Sequence, residues 1–241
     1  MNLFWDEDVP FIAILGKNHY LYILMMLLFF FLLVSQYKRI QKNPLVIHKY
    51  FLVFSVSQQI LLYSWYFFET GFDLQEALPL HLSRITSLLG IMYLLTKKKK
   101  WIDLSFYFGL FAYGTFLYPQ RVYPVYHILG ISFFINHAIT ILLPIFAAIA
   151  YHWRPSFIGV FSAYKWFLIY FLSVYLLNPL INGNYFYLKY RPFFRQWPDY
   201  KYIPFILVGT LIAFLLGYLG TMFVIKTIEF VKSKEIKEIN Y

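Results

Sequence analysis

The sequence predicts an all-α integral membrane protein: one bundle of about seven transmembrane helices, with the amino terminus outside and the carboxyl terminus cytoplasmic. Three observations predict it. Seven apolar stretches of near-bilayer length occupy most of the chain, 61% of its residues are hydrophobic and only 13% charged, and the basic residues fall largely in alternate connections. Ordinary soluble domains are about 45–50% apolar and about 25% charged, and a helical span needs about 20 apolar residues. The 241 residues leave no room for a separate soluble domain, so residues 1–241 read as one polytopic membrane domain.

Taken in order, the first stretch covers roughly residues 19–36. Acidic Asp6, Glu7 and Asp8 precede it in place of a positive n-region, and no small-residue cleavage pattern follows. It is therefore expected to stay as a span, not to be removed as a signal peptide. The second, roughly 50–68, carries Ser55, Ser57, Gln58 and Gln59 and ends at Glu69. The third, roughly 78–96, opens on Pro79, which suits a first helical turn. The fourth and fifth run over roughly 101–118 and 126–150, the fifth holding Asn136 and His137 deep in an apolar run. The sixth and seventh cover roughly 157–180 and 203–225. Beyond them Lys226 to Tyr241 alternate Lys and Glu at helical period, a pattern expected to lie on the cytoplasmic surface.

Charge sets the expected orientation. Lys38, Arg39, Lys42 and Lys49 follow the first span, Lys97 to Lys100 the third, Arg154 the fifth, and Lys226, Lys232, Lys234 and Lys237 the seventh. These face the cytoplasm by the positive-inside rule. The opposite connections hold the acidic amino terminus and the segment with Glu69, Asp73 and Glu76. The exception is the connection 181–202, where Lys189, Arg191, Arg195 and Lys201 sit on the outer side and suggest contact with lipid phosphates. The net charge of +10 thus reads as topology, and no nucleic-acid partner is expected.

Absent chemistry narrows the function classes. With no cysteine there is no disulfide, thiolate metal site or cysteine nucleophile. No HExxH run, glycine-rich phosphate loop or pair of intramembrane carboxylates occurs, and no metal or organic cofactor is called for. Two matching halves with broken helices are missing as well, which disfavours a secondary transporter.

Polar residues inside spans are costly and mark the places to look. The sharpest group is Leu78-Pro79-Leu80-His81-Leu82-Ser83-Arg84. Helical positions two apart diverge, so Ser83 needs a base from another helix instead of from His81. Lys97 to Ser83 and Tyr151 to His137 are each 14 residues, about 21 Å at ~1.5 Å per residue, so Ser83 and His137 are expected at one depth. Arg84 snorkels to the outer headgroups or holds a phosphate. Gln58 and Gln59 read first as interhelical glue and second as substrate-lining groups. Pro179 and Gly183 mark a turn that folds Asn184 and Tyr185 toward the same region. Tyr63, Tyr113, Tyr164 and Tyr175 read first as interfacial anchors and packing groups and second as lining for a polar cavity. His19, His48, His127 and His152 fall near span ends, where interfacial solvation accounts for them.

Leu-Pro-Leu-His-Leu at 78–82, Phe-Ile-Asn-His at 134–137, Trp153-Arg154-Pro155 and Gly183-Asn184-Tyr185-Phe186-Tyr187-Leu188 resemble, in order and separation, the YwaF-type integral membrane proteins of bacteria. That family is grouped with a human transmembrane acyltransferase that remodels phospholipids. The resemblance implies a helical bundle that transfers acyl chains from a phospholipid donor to a lysolipid acceptor through an acyl-enzyme, and with the Lys-, Ile- and Tyr-rich composition it leans toward a bacterial plasma membrane. The position after Leu-His-Leu is commonly Cys in that family; here it is Ser83, which shifts the burden to its base. On this reading Ser83 is the nucleophile, with His137 or His81 as base. Asn136 or Asn184 donates to the oxyanion, and Arg84, Tyr185 and Gln59 contact the substrate. Two other classes fit the same residues: a lipid or solute translocator, expected to hold a cavity open to both faces, and a scaffold, expected to hold none.

Overall fold

The computed structural model describes the backbone of residues 2–239 and the side chains of residues 2–229. The tail reading at Lys232, Lys234 and Lys237 therefore lies outside the described side chains. Among the described residues there are α-helices and one 3-10 turn but no strand: α1 (Lys17–Ser35), α2 (Tyr37–Lys42), α3 (Leu45–Glu69), α4 (Leu82–Thr96), α5 (Lys99–Leu117), α6 (Ile128–Tyr151), α7 (Phe157–Ile181), the 3-10 turn Tyr185–Tyr187, and α8 (Asp199–Ile239).

Five of these, α1, α3, α6, α7 and α8, are long and apolar enough to cross a membrane. The fourth stretch became α5, whose first turns carry Lys99, Lys100 and Asp103. The third became only the 15-residue α4, about 22 Å at ~1.5 Å per residue and short of the ~30 Å hydrocarbon core. Here the expectation from Pro79 is corrected. Helix begins at Leu82, with His81 as its N-cap in extended conformation, because residues 70–81 fold as turns fixed by side chains from three helices. The tail also differs: α8 continues without a break through Ile239 instead of turning off as a separate surface helix.

Apolar side chains cover the outside of the bundle. Ile158 and Leu180 are about four-fifths exposed (80% and 81%), and Leu24, Phe31, Val53 and Phe223 are likewise bare. Fully burying one such side chain is worth about 1.5–3 kcal/mol relative to leaving it in water, so a belt of this extent calls for hydrocarbon as its solvent. The interior is centred on α6, which packs against α1 to α5, while α7 and α8 pair with each other and with α5. Close approach is permitted by Gly130, where an added Cβ would lie 1.9 Å from the Pro124 carbonyl oxygen.

Histidines fasten both ends of the bundle. At the end with the amino terminus, His19 accepts from the Leu15 N–H (2.9 Å) and donates to the Phe116 carbonyl (2.6 Å). His127 caps α6 by accepting from the Leu129 N–H (3.1 Å), and its other nitrogen donates to the Asp6 carbonyl (3.2 Å). At the opposite end, His48 donates to the Leu94 carbonyl (2.8 Å) and accepts from the Tyr151 hydroxyl (3.0 Å). All three are buried, which overturns the interfacial-solvation reading for them; His152 alone is exposed.

Candidate functional site

A cavity of about 600 Å³ opens between α3, α4, α5 and α6. Its mouth lies at the end of the bundle that carries the amino terminus, rimmed by Glu76, Arg121 and Phe193 from the connections. Its floor reaches Thr86, Gly109 and Thr140. Beyond the floor the core closes with Tyr93, Ile102, Leu143, Phe146 and Ala147, all buried, so the cavity is blind.

Six of the eight candidate residues line it: His81, Ser83, Arg84, Asn136, His137 and Asn184. Ser83 is the second residue of α4, one position past the uncapped first amide, since His81 makes no side-chain cap bond. The N–H groups of Arg84 and Ile85 donate to the His81 carbonyl (2.9 and 3.1 Å), whereas first-turn amides ahead of them have no intrahelical acceptor. Asn136 on α6 reaches across to donate to the Ser83 carbonyl (3.4 Å), tying α4 to α6 at this level. His137, the next residue, directs Nδ1 at the Phe133 carbonyl (2.8 Å). A carbonyl only accepts, so Nδ1 carries the hydrogen and Nε2 holds the lone pair. No hydrogen bond links Ser83 to His137 or to His81 among the described residues. The His81 ring meets the edge of Tyr185, centroids 4.9 Å apart.

A clamp around residues 70–81 sets where α4 starts. The Tyr185 hydroxyl donates to the Leu74 carbonyl (2.7 Å) and accepts from the Leu78 N–H (3.0 Å), and Tyr170 on α7 donates to the Leu80 carbonyl (2.9 Å). Tyr185 is itself gripped by Asn178, whose carboxamide donates to its carbonyl (2.9 Å) and accepts from its N–H (3.0 Å). Burial pushes the Tyr185 phenol up to about 12, so it stays protonated and able to donate. Arg84 donates to the Glu76 carbonyl, to the Leu78 carbonyl (2.9 Å) and to the Tyr66 hydroxyl (2.6 Å), its guanidinium lying over the Tyr66 ring.

A family model described as the TMEM164 family matches residues 14–220. The chain belongs to the TMEM164 family. It is a membrane protein, as the family and the apolar helices together require. No curated protein and no solved structure matches the chain.

In this TMEM164-family chain, two candidates stand apart from the cavity. Tyr185 is fully buried behind it as part of the clamp, and Gln59 donates to Gln58 (2.7 Å) and to Ser87 (2.9 Å), so it bridges α3 and α4. Arg84 lines the wall but is occupied by its three protein acceptors, leaving Arg121, paired with Glu76 at 2.7 Å, as the exposed cation of the mouth. Asn184 accepts from the N–H groups of Lys189 and Tyr190 (both 2.9 Å) and keeps its amide nitrogen unbonded. The tyrosines on the cavity are Tyr66, Tyr118, Tyr123 and Tyr187, none of the four weighed from sequence. Missed altogether were Ser132, which accepts from Gln58 (2.8 Å), and Thr140. They lie at i−4 and i+4 relative to Asn136 on α6, and that spacing was the available signal.

Chemically the arrangement offers a hydroxyl and a basic imidazole nitrogen without hydrogen-bond partners among the described residues, and uncapped amides at a helix start, all in one blind chamber. Among the described residues no group of three His, Asp or Glu side chains stands ready for a metal ion.

Proposed function

We propose that this chain is an intramembrane acyltransferase that moves a fatty acyl chain between glycerolipids through an ester on Ser83, with His137 as base. The observation that carries the reading is the blind cavity lined by both Ser83 and His137, with Asn136 bonding α6 to the Ser83 carbonyl of α4. The resemblance of its motifs to the YwaF-type proteins, with the acyl transfer that this implies, supports it as well.

In the first step the Ser83 Oγ–H proton passes to His137 Nε2 as Oγ attacks the ester carbonyl of the donor lipid. The carbon–oxygen bond to the glycerol oxygen breaks, and that oxygen takes the proton from His137. Negative charge on the carbonyl oxygen is met by the uncapped first-turn amides of α4 and by the positive end of its dipole, with Asn184 as a further donor; loss of one such donor costs about 2.7–4 kcal/mol of barrier. In the second step a lysolipid hydroxyl reverses the sequence and frees Ser83. Water is kept scarce by the aromatic walls Phe108, Phe111 and Phe133, which favours transfer over hydrolysis. With the amino-terminal end of the bundle outside, as the lysines and arginines suggest, the mouth meets the outer leaflet of a bacterial plasma membrane. A translocation path fits less well, because the core beyond Thr140 is packed with the buried Leu143, Phe146 and Ala147.

Intact-protein mass spectrometry after incubation with phospholipid and lysolipid tests the proposal. Wild type and Ser83→Cys are expected to gain an acyl-sized mass, and Ser83→Ala none. His137→Ala is expected to lose about 10²–10⁴-fold in rate, the usual contribution of a positioned base. An adduct undiminished in Ser83→Ala, or none in any variant, overturns it.

A further inference from the structure

The floor of the cavity is built to accept hydrogen bonds. The orientation of the Asn136 carboxamide follows from chemistry: the atom facing the Ser83 carbonyl must be the nitrogen, since two oxygens would repel. That leaves Asn136 Oδ1 buried with no donor, and one turn along the same face Thr140 Oγ1 is buried and unpartnered too. Both residues are only 5% exposed, and both line the cavity. A third acceptor joins them. Pro144, inside α6, has no N–H to give to the Thr140 carbonyl, the usual i to i+4 acceptor. Buried polar atoms are rarely left without partners, and each exception asks what completes it.

We propose that the Asn136–Thr140 turn of α6 is a subsite for an alcohol, a ligand hydroxyl that donates to this acceptor cluster. The inference rests on the acyl-transfer reading only in naming the alcohol's role, that of acyl acceptor. Held here, its oxygen lies beside the residue pair Asn136 and His137. For attack the hydroxyl turns its single proton from the cluster to His137 Nε2, which takes it as the oxygen forms its bond to the acyl carbon. The Ser83 Oγ–carbon bond then breaks, and His137 returns the proton to Oγ. The Asn136 Oδ1 and the Thr140 carbonyl, which only accept, thereby favour a neutral hydroxyl over an ether or an anionic oxygen, neither of which can donate.

Binding tests the subsite without requiring turnover. The probes are 1-monooleoylglycerol and its 2,3-di-O-methyl ether, titrated by native mass spectrometry against the full chain in nanodiscs, with Thr140→Val and Thr140→Ala lacking the hydroxyl and Thr140→Ser retaining it. Wild type and Thr140→Ser are expected to prefer the alcohol by about tenfold, the order of one or two hydrogen bonds, and the preference is expected to fall at least threefold in whichever of the Val and Ala variants folds. Equal binding of alcohol and ether by wild type, which would mean that water alone fills the floor, overturns the inference. So does a preference undiminished in Val or Ala. The Ser83 adduct is measured on the same preparations: no adduct with an intact alcohol preference refutes acyl transfer and leaves the subsite standing, whereas an adduct without the preference refutes the subsite alone.

Discussion

Single side chains decide where Ser83 lies, and Tyr185 decides most. Its hydroxyl holds two backbone groups of the segment before α4, so Tyr185→Phe strands the Leu74 carbonyl and the Leu78 N–H. The expected cost is about 1–3 kcal/mol, read as a lower melting midpoint in detergent, together with reduced acyl incorporation because His81 and the start of α4 lose their anchor. Sequence reasoning reached five polar residues that line the cavity, His81, Ser83, Asn136, His137 and Asn184, since lipid-embedded polar groups stand out against an apolar background. It misplaced the terminal histidines and did not pick out the cavity tyrosines for one reason. An aromatic ring suits an interface, a core or a cavity wall equally, and only the packed bundle says which; His19, His48 and His127 turned out to join backbone segments far apart in the chain.

Between elements, the decisive contact is α5 against α6 at the cavity floor. A Cβ on Gly109 would come 2.8 Å from Thr140 Cγ2, so Gly109→Ala is expected to destabilise by about 1–3 kcal/mol as an overpacked site. Adding Thr140→Ser removes the clashing methyl and is expected to restore most of that loss. The double-mutant cycle, measured by thermal unfolding, should therefore show strong coupling between the two positions. Element boundaries were largely legible: the fourth and sixth stretches, expected at roughly 101–118 and 157–180, appear as Lys99–Leu117 and Phe157–Ile181. The start of α4 was not. Pro79 has the right chemistry for a helical first turn, but the segment before Leu82 is captured by Tyr170, Tyr185 and Arg84, contacts across 90, 107 and 6 residues of chain, the first two far outside any local window.

For the whole molecule, a cysteine-free chain makes orientation directly measurable. Asp73→Cys, at the end with the cavity mouth, is expected to react with a membrane-impermeant maleimide in intact cells. Lys98→Cys, at the opposite end, is expected to react only after permeabilisation; the reverse pattern would place the mouth on the cytoplasmic side. The shortness of α4 then has a mechanical meaning. Because this helix stops about 8 Å short of a full span, its first turn sits that far inside the hydrocarbon layer when its lysine-bearing end is placed at the opposite interface. On the proposed acyl-transfer reading, a donor lipid needs only to lower its ester group by that distance with its tails still dissolved in the bilayer, whereas lifting a sixteen-carbon chain into water would cost on the order of 13 kcal/mol at ~0.8 kcal/mol per methylene. Turnover should accordingly follow the two-dimensional density of substrate in the membrane: diluting the donor with an inert lipid at constant bulk concentration should slow the reaction in proportion.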